Sequence, residues 1–400
     1  MSETPYKLNK TELKLLFFSS TILLLFLFFN NGWKLHPDSD TYTSYLELFG
    51  ENGDKSMLNT EVALLRPLLF YFSLPFYFVF RDPVLAIGLL NSIFYLSSVI
   101  IFHRYVSEFL DNHNLIIVST VYFSTCFPIL YWGLSILTEM GSWFFIILCL
   151  RRLQNFSFNL EKNSDYITLI IVGLGILYKT NLFVLPLFIM FYGFATVGIK
   201  NLPTRSLFLI PFFTSIPLII NQLYAFYFFD VNYYDDLLKE SLFFWEKDPS
   251  ESTYSEGEYS KEYEFKYTQT YRLLTFFIAF PLLLFSFFGM KILKEENKDV
   301  YASFKWYLIS ALIIILGYSS TIEYIGAGSP RYAFLLFPIM IPSIVIGLDY
   351  VIDKFLIWYN ISSLFSREKV LWCIVSVYSL FSFVFSIFDS QIRIYLGLWL

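Results

Sequence analysis

The sequence places two carboxylates, Asp38 and Asp40, in a short polar stretch (residues 33–45) that interrupts long apolar segments. One carboxylate of such a pair can accept a proton from a reacting hydroxyl or amide, while the other fixes the geometry or a divalent cation. The alternative is structural: Asp40 caps a helix and Asp38 is solvated. Either way, we expect a helix to follow this pair.

The residues after Asp40 have the spacing of an amphipathic helix. Apolar and aromatic side chains follow the i, i+3, i+4, i+7 pattern that places them on one helix face. They are Tyr42, Tyr45, Leu46 and Phe49. The pattern predicts an interfacial helix that lies flat on a bilayer, with the two acids held at the membrane edge.

The composition shows what must position these acids. Of 400 residues, 56% are hydrophobic, 22% are aromatic and only 15% are charged, whereas an average soluble domain carries about 25% charged residues. This composition predicts a polytopic α-helical membrane protein. The net charge of −5 excludes the basic footprint of a nucleic-acid-binding protein.

The cysteines and histidines suggest no metal or disulfide framework. The three cysteines all fall inside apolar runs and behave as small hydrophobic residues. The histidines are scattered and lack the spacing of zinc ligands. These residues are Cys126, Cys149 and Cys373, and His36, His103 and His113.

Apolar runs long enough to cross a bilayer recur along the whole chain, which predicts one integral membrane domain over residues 1–400. The first outer loop then covers residues 30–83, and a long acidic outer loop covers residues 230–272. We predict about eleven transmembrane helices: 13–29, 84–102, 115–131, 134–150, 166–178, 182–197, 207–229, 273–290, 304–318, 332–351 and 370–388.

Whether the run Pro67–Phe80 crosses the membrane determines the orientation of all later spans and loops. It is short for a transmembrane span and contains two prolines, so we interpret it as an interfacial or re-entrant segment. The N-terminus and most basic loop residues then lie on the inner side, as the positive-inside rule requires. The carboxylate pair faces outward. The inner basic residues are Arg104, Arg151, Arg152, Lys162, Lys200, Arg205, Lys291, Lys294, Lys298, Lys354, Arg367 and Lys369.

Two more ionisable residues, Glu139 and Lys179, fall near the outer ends of predicted spans. Ionisable groups at membrane depth are costly, and this cost favours a functional role. Glu139 can orient an acceptor or join a metal site, or it can simply begin a helix together with Thr138. Lys179 can bind a phosphate as a point charge, or it can snorkel to the interface.

Arg331 and Arg66 are the candidate anion ligands of the outer loops. Arg331 follows a run of small residues that lets backbone approach a ligand closely. Its guanidinium can fork onto phosphate oxygens bidentately, so a lipid-linked phosphate is a natural ligand. The alternative is an interfacial anchor beside Tyr332, and Arg66 has the same two interpretations.

Together these features resemble the GT-C superfamily of membrane glycosyltransferases. The segments that carry the resemblance are residues 38–42 (DSDTY, catalytic loop), 66–69 (RPLL, entry to the juxtamembrane helices), 138–139 (TE, second outer loop), 173–179 (GLGILYK, glycine-rich span ending in lysine) and 330–332 (PRY, late span entry).

The resemblance implies an all-α polytopic fold with amphipathic juxtamembrane helices in the first outer loop. It also implies a sugar donor on polyprenyl phosphate or diphosphate, and a glycan, lipid or protein acceptor. Asp38 or Asp40 would be the base, and transfer would invert the anomeric centre. Glu139 would support the acceptor or, with both aspartates, a divalent metal (Mg or Mn); no cofactor is certain.

The same resemblance assigns the substrate-binding residues. Lys179 and Arg331 would hold the lipid phosphate at the outer face. The full predicted set is Arg66, Lys179, Arg331, Tyr42 and Tyr332.

Two other functions stay open. A surface-polysaccharide polymerase or ligase would usually rely on paired arginines in long outer loops, whereas these outer loops are acidic. A transporter of lipid-linked or small solutes would tend to show inverted repeats and charges near the bilayer midplane. Here the candidate charges are predicted to gather at one membrane face.

Overall fold

The computed structural model describes residues 8–35, 39–50, 67–198, 201–229, 282–321, 335–359 and 365–395. Within these ranges the chain is helical and holds no β-strand, and one isolated bridge joins Lys34 to Ser135. The predicted all-α class is therefore confirmed.

The described ranges contain thirteen α-helices, with a π-helical turn at Ile129–Gly133 and a 3-10 turn at Thr180–Phe183. The helices are α1 (Lys10–Asn30), α2 (Ser39–Gly50), α3 (Pro67–Phe80), α4 (Pro83–Ser107), α5 (His113–Thr125), α6 (Glu139–Leu153), α7 (Asn163–Tyr178), α8 (Val184–Thr196), α9 (Thr204–Phe229), α10 (Phe285–Glu296), α11 (Lys298–Thr321), α12 (Phe337–Trp358) and α13 (Arg367–Tyr395).

Four of the described helices are long and apolar enough to cross a bilayer: α1, α4, α9 and α13. The apolar helices α3, α7 and α8 are shorter. The chain is thus a multi-pass membrane protein. Each predicted span overlaps a described helix, but the total of eleven spans stays a prediction, because the other helices are shorter or more polar.

Helix α4 lies at the centre of the bundle and packs on α1, α3, α5 and α6. One of its faces carries Gly88, Asn91, Ser92 and Tyr95, which follow the i, i+3, i+4, i+7 spacing of a helix stripe. Ser92 accepts a hydrogen bond from the Trp33 indole at 3.2 Å, and the Tyr95 hydroxyl donates to the Ser124 carbonyl at 2.9 Å. This polar stripe therefore fastens segments from outside α4 onto it.

Helices α1 and α4 run antiparallel. Near the start of α1, Glu12 accepts a 2.5 Å hydrogen bond from Nε of Arg104, which lies near the end of α4. At the other end, Trp33 follows α1 and covers Gly88 near the start of α4. The end of α1 and the start of α4 therefore lie at the same end of the bundle. This result agrees with the interpretation of Pro67–Phe80 as a segment that does not cross.

Basic side chains gather at the end of the bundle that holds the Glu12–Arg104 contact, which we call the Arg104 end. There the guanidinium of Arg151 donates to Glu108 at 2.8 Å, and the guanidinium of Arg152 donates to the Thr168 hydroxyl at 2.9 Å. These contacts place the ends of α4 and α6 beside the start of α7. Glu139, the first residue of α6, therefore lies at the opposite end, which we call the Glu139 end.

The connection between α5 and α6 corrects the predicted spans 115–131 and 134–150. Helix α5 ends at Thr125 and α6 begins only at Glu139. Of the connecting residues 126–138, Ile129–Gly133 form the π-helical turn and residues 134–138 are irregular, where the sequence suggested a two-residue loop. Pro128 explains the early end, because it lacks an N–H donor and restricts the residue before it. All of these residues except Tyr131 are buried.

Candidate active site at the Glu139 end

Helix α2 begins at Ser39, so Asp40 lies in its first turn and is not the cap residue that the sequence suggested. The Asp40 side chain is exposed, and a carboxylate in this position is stabilised by the positive end of the helix dipole. Ser39 is buried, and its hydroxyl donates to the Ile136 carbonyl at 3.0 Å. This bond ties the start of α2 to the chain three residues before Glu139.

The predicted apolar face of α2 is confirmed, but it packs on protein. Tyr42 and Leu46 are 1% and 0% exposed. Phe49 stacks on Phe70 of α3 with ring centroids 5.4 Å apart. The face is covered by α3 and α4, and the expectation that α2 lies flat on the bilayer stays a prediction. The predicted role of Tyr42 in binding substrate stays a prediction.

Glu139 and Lys179 form a buried ion pair, with the Lys179 Nζ 2.7 Å from Glu139 Oε1. Their side chains are 0% and 2% exposed, respectively. Snorkelling of Lys179 to the interface is therefore the wrong interpretation. Glu139 does begin a helix, as one interpretation had it, but Thr138 in the cap position makes no side-chain capping hydrogen bond.

Backbone geometry brings these two residues together. Helix α7 ends at Tyr178, and Lys179 is extended, with φ −156° and ψ 125°. The Tyr178 ring lies directly against Gly141, where a Cβ atom would come within 2.2 Å of the ring. Only glycine at position 141 allows this approach, so the first turn of α6 and the end of α7 meet closely enough for the ion pair to form.

The connection 126–138 positions Glu139 through the contacts of its last residues. The backbone N–H of Ile136 donates to the Lys34 carbonyl at 3.1 Å. The side-chain amide of Asn91 donates to the carbonyls of Ser135 and Leu137 at 2.8 and 3.0 Å. Segments from before α2, from α4 and from before α6 therefore converge around Glu139.

Sequence reasoning missed two residues of this assembly, Asn91 and Ser39. Asn91 lies in the middle of the predicted span 84–102. A polar side chain at that depth is costly unless it has hydrogen-bond partners, so its position was a usable signal. Ser39 belongs to the DSDTY segment that carried the resemblance, but its bond to the Ile136 carbonyl had no signal in the sequence, because serine is common in any polar loop.

Several predicted site residues lie outside the described residues. The structure does describe Phe337, the first residue of α12, whose ring lies 5.8 Å from the Trp143 ring, centroid to centroid. Trp143 is one helical turn beyond Glu139. The undescribed predictions are Asp38, Arg66, Arg331, Tyr332 and the acidic loop 230–272.

The predicted divalent-metal site of Asp38, Asp40 and Glu139 stays untested as a set. Among the described residues, no three His, Cys, Asp or Glu side chains come together as a candidate metal site. Glu139 Oε1 already contacts the ammonium of Lys179, which would compete with a cation for that oxygen. The donors in the described part of the chain therefore do not fit a divalent cation, and we derive no step through one.

Two apolar cavities flank α7, the helix that ends just before Lys179. One, of about 570 Å³, lies among α7, α8 and α9 and includes Ile176. The other, of about 470 Å³, lies among α3, α7 and α9 and includes Leu174 and Leu177. The polar groups of the second cavity are those of Asn221, Tyr71 and Tyr224, and the Tyr71 hydroxyl donates to Asn221 Oδ1 at 3.3 Å.

Two solved structures share this fold. ArnT from Cupriavidus metallidurans, bound to undecaprenyl phosphate, aligns with a TM-score of 0.57 at 11% identity, over 96% of this chain and 73% of ArnT. The Archaeoglobus fulgidus oligosaccharyltransferase in the apo form aligns with a TM-score of 0.54 at 12% identity, over 96% of this chain. This chain spans 56% of the length of that oligosaccharyltransferase.

Both structures are GT-C membrane glycosyltransferases, so the resemblance predicted from the sequence is confirmed at the level of the fold. No family model and no curated protein matches the sequence. Identities this low show the fold and leave substrate and activity to be argued from the site.

Proposed function

We propose that this protein is a glycosyltransferase that moves a sugar from a polyprenyl phosphate or diphosphate donor to a glycan, lipid or protein acceptor at the outer membrane face. One observation carries the proposal: in a GT-C fold, Asp40 and the buried Glu139–Lys179 pair share one end of the bundle. These residues are far apart in sequence, and Ser39 and the connection 126–138 bring their helices together.

In the proposed reaction, the acceptor hydroxyl oxygen attacks the anomeric carbon of the donor. Its proton passes to the carboxylate of Asp38 or Asp40, and the bond from the anomeric carbon to the phosphate oxygen breaks. The leaving phosphate keeps the electron pair, and one displacement inverts the anomeric centre. The side chain of Asp40 is exposed, which leaves its carboxylate accessible to an acceptor.

The ion pair changes the role proposed for Lys179. Because Glu139 already compensates part of its charge, Lys179 is a weak sole ligand for a lipid phosphate. We therefore assign the direct phosphate contacts to Arg66 and Arg331, whose guanidiniums are never deprotonated. Lys179 then adds positive potential near the leaving group, where fixed charges stabilise the developing negative charge.

The cavities beside α7 suggest where the carrier's apolar chain lies. Leu174 and Leu177 line one cavity within about a turn of Lys179. A polyprenyl chain in that cavity would leave its phosphate at the Glu139 end. Burial of the chain's CH₂ groups would supply binding free energy without any polar contact.

The basic residues support the proposed orientation. Arg104, Arg151 and Arg152 all make contacts at the Arg104 end, opposite Glu139. Under the positive-inside rule that end is cytoplasmic, so the candidate site is outside. A reporter fused after residue 112 should therefore report the cytoplasmic side, the same side as the N-terminus.

The proposal is tested by replacing each aspartate separately in cells that lack the native gene. We expect either Asp38→Asn or Asp40→Asn to abolish sugar transfer, because an amide cannot act as the base. Transfer is measured by mass spectrometry of surface glycans and by incorporation of radiolabelled sugar in isolated membranes. Full transfer by both variants would refute the proposed catalytic loop.

Glu47→Gln is the matched control. Glu47 is an exposed carboxylate on the same helix as Asp40, so its replacement removes the same charge from α2 and should leave transfer unchanged. Solute uptake by vesicles that contain the purified protein, without sugar transfer, would instead favour the transporter alternative.

A further inference from the structure

We propose that Asn91 is a positioning residue that holds Glu139 against Lys179 by clamping the backbone just before Glu139. The contribution to catalysis rests on the proposed function, whereas the clamp itself is a statement about the ion pair and can be tested without substrate.

The clamp has a geometric basis. Asn91 is 0% exposed, and both amide hydrogens of its side chain are used on the carbonyls of Ser135 and Leu137. The Leu137 N–H also donates to the Ser135 carbonyl at 2.8 Å, which closes a tight turn. Asn91 therefore bridges the two carbonyls of one turn, and that turn ends two residues before Glu139.

The end of the connection, residues 134–138, needs such a clamp because its backbone is irregular and buried. Buried carbonyls that find no hydrogen-bond donor cost free energy, and at membrane depth no bulk water replaces the missing donor. A regular helix would satisfy these carbonyls internally. Here one side chain from α4 satisfies two of them, and this makes the path of the turn depend on Asn91.

The other contacts of this turn come from different elements. The Ser39 hydroxyl and the Lys34 carbonyl both bond to Ile136, the residue between the two that Asn91 holds. Loss of Asn91 would leave Ile136 tied to the start of α2 and the Ser135 carbonyl bonded to the Leu137 N–H, but it would remove the side-chain donor that holds the carbonyls on either side of Ile136. The turn could then rotate about Ile136 and carry Glu139 away from Lys179.

A merely structural role for Asn91 makes a different prediction. In that case, its loss lowers the stability of the whole bundle and leaves the coupling between Glu139 and Lys179 intact. The two roles are therefore separated by the non-additivity of the pair, which a double-mutant cycle measures.

The experiment compares two such cycles in the full-length protein purified in detergent. Glu139→Gln, Lys179→Met and the double variant are made in the native background and in the Asn91→Leu background, and thermal unfolding temperatures are recorded. In the native background we expect the double variant to lose much less than the sum of the single losses, because each single variant leaves a buried charge without its partner. In the Asn91→Leu background we expect this difference to shrink to less than about half.

Equal non-additivity in both backgrounds would overturn the proposal. If Asn91→Leu does not fold, Asn91→Ser, which is smaller and cannot reach both carbonyls, is used in its place under the same criterion. Ser98→Ala is the control: Ser98 is equally buried on α4, and its hydroxyl has no hydrogen-bond partner in the described structure. It should leave the coupling unchanged. Because no step measures sugar transfer, failure of this test is distinct from failure of the proposed function.

Discussion

Ion pairs join helices at both ends of this bundle, but they lie in different surroundings. Glu139 and Lys179 are 0% and 2% exposed, whereas Glu12 and Arg104 are 3% and 25% exposed. The Glu12 carboxylate receives two guanidinium N–H bonds and also completes a capping box with Asn9. Glu139 instead pairs with the ammonium of Lys179, and its position depends on the irregular backbone of residues 134–138.

The two ion pairs have different roles: the Glu12–Arg104 pair joins helices, and we expect the Glu139–Lys179 pair to serve the proposed reaction. Glu12 caps α1 locally, and its pair with Arg104, whose side chain is 25% exposed, ties two long helices together. The Glu139–Lys179 pair takes two charges out of water entirely, and this is rarely the most stable choice for a membrane core. We expect this pair, which shares its end of the bundle with the exposed Asp40, to maintain an electrostatic field for the proposed reaction rather than to add stability.

The largest expected effect comes from breaking the buried pair. Lys179→Met leaves the Glu139 carboxylate buried beside an apolar side chain, and this should cost about 3–5 kcal/mol of stability. Thermal unfolding in detergent measures the loss. The double variant Glu139→Gln with Lys179→Met should be closer to native than Lys179→Met alone. A single variant as stable as the native protein would show that the pair is not buried as described.

The sequence predicts the helices and marks the two buried ionisable residues, but it does not predict that these two residues are in contact. Hydrophobic runs located the helices, and the identities of Glu139 and Lys179 marked them as unusual at membrane depth. Their mutual contact could not be predicted, because it depends on the 126–138 connection. The sequence predicts helix over most of that segment, because its residues are as apolar as those on either side.

The residue spacing in α2 predicts its apolar face but not the element that packs against that face. A spacing of three and four residues shows which side of a helix is apolar, but it does not show what covers that side. Here Phe70 of α3 lies against Phe49 and Tyr45. The interpretation of Pro67–Phe80 as uncrossed agrees with the antiparallel contacts of α1 and α4, whereas Asp38, Arg66 and Arg331 stay predictions.

An intermediate effect is expected at the Arg104 end. Arg104→Met leaves Glu12 without its guanidinium, but the carboxylate, which is 3% exposed, keeps its bond from the Asn9 N–H. We expect a loss of about 1–3 kcal/mol, since a charged acceptor is left partly unsatisfied. Arg104→Lys should recover part of it, because lysine restores the charge but not the two-pronged geometry. A loss as large as that of Lys179→Met would erase the contrast between the two ends.

The smallest effect is expected for a third ion pair, which is more exposed than either of the other two. Arg151 and Glu108 are 29% and 27% exposed, with Arg151 Nε 2.8 Å from Glu108 Oε1. Water and salt screen such a pair, and it also costs side-chain entropy to hold, so Glu108→Gln should change stability by about 0–1 kcal/mol. Thermal unfolding at low and high salt checks this, and added salt should remove any difference between native and variant. If Glu108→Gln instead matched Arg104→Met at every salt concentration, burial would not be what ranks these pairs, and the large effect expected at Lys179 would lose its physical basis.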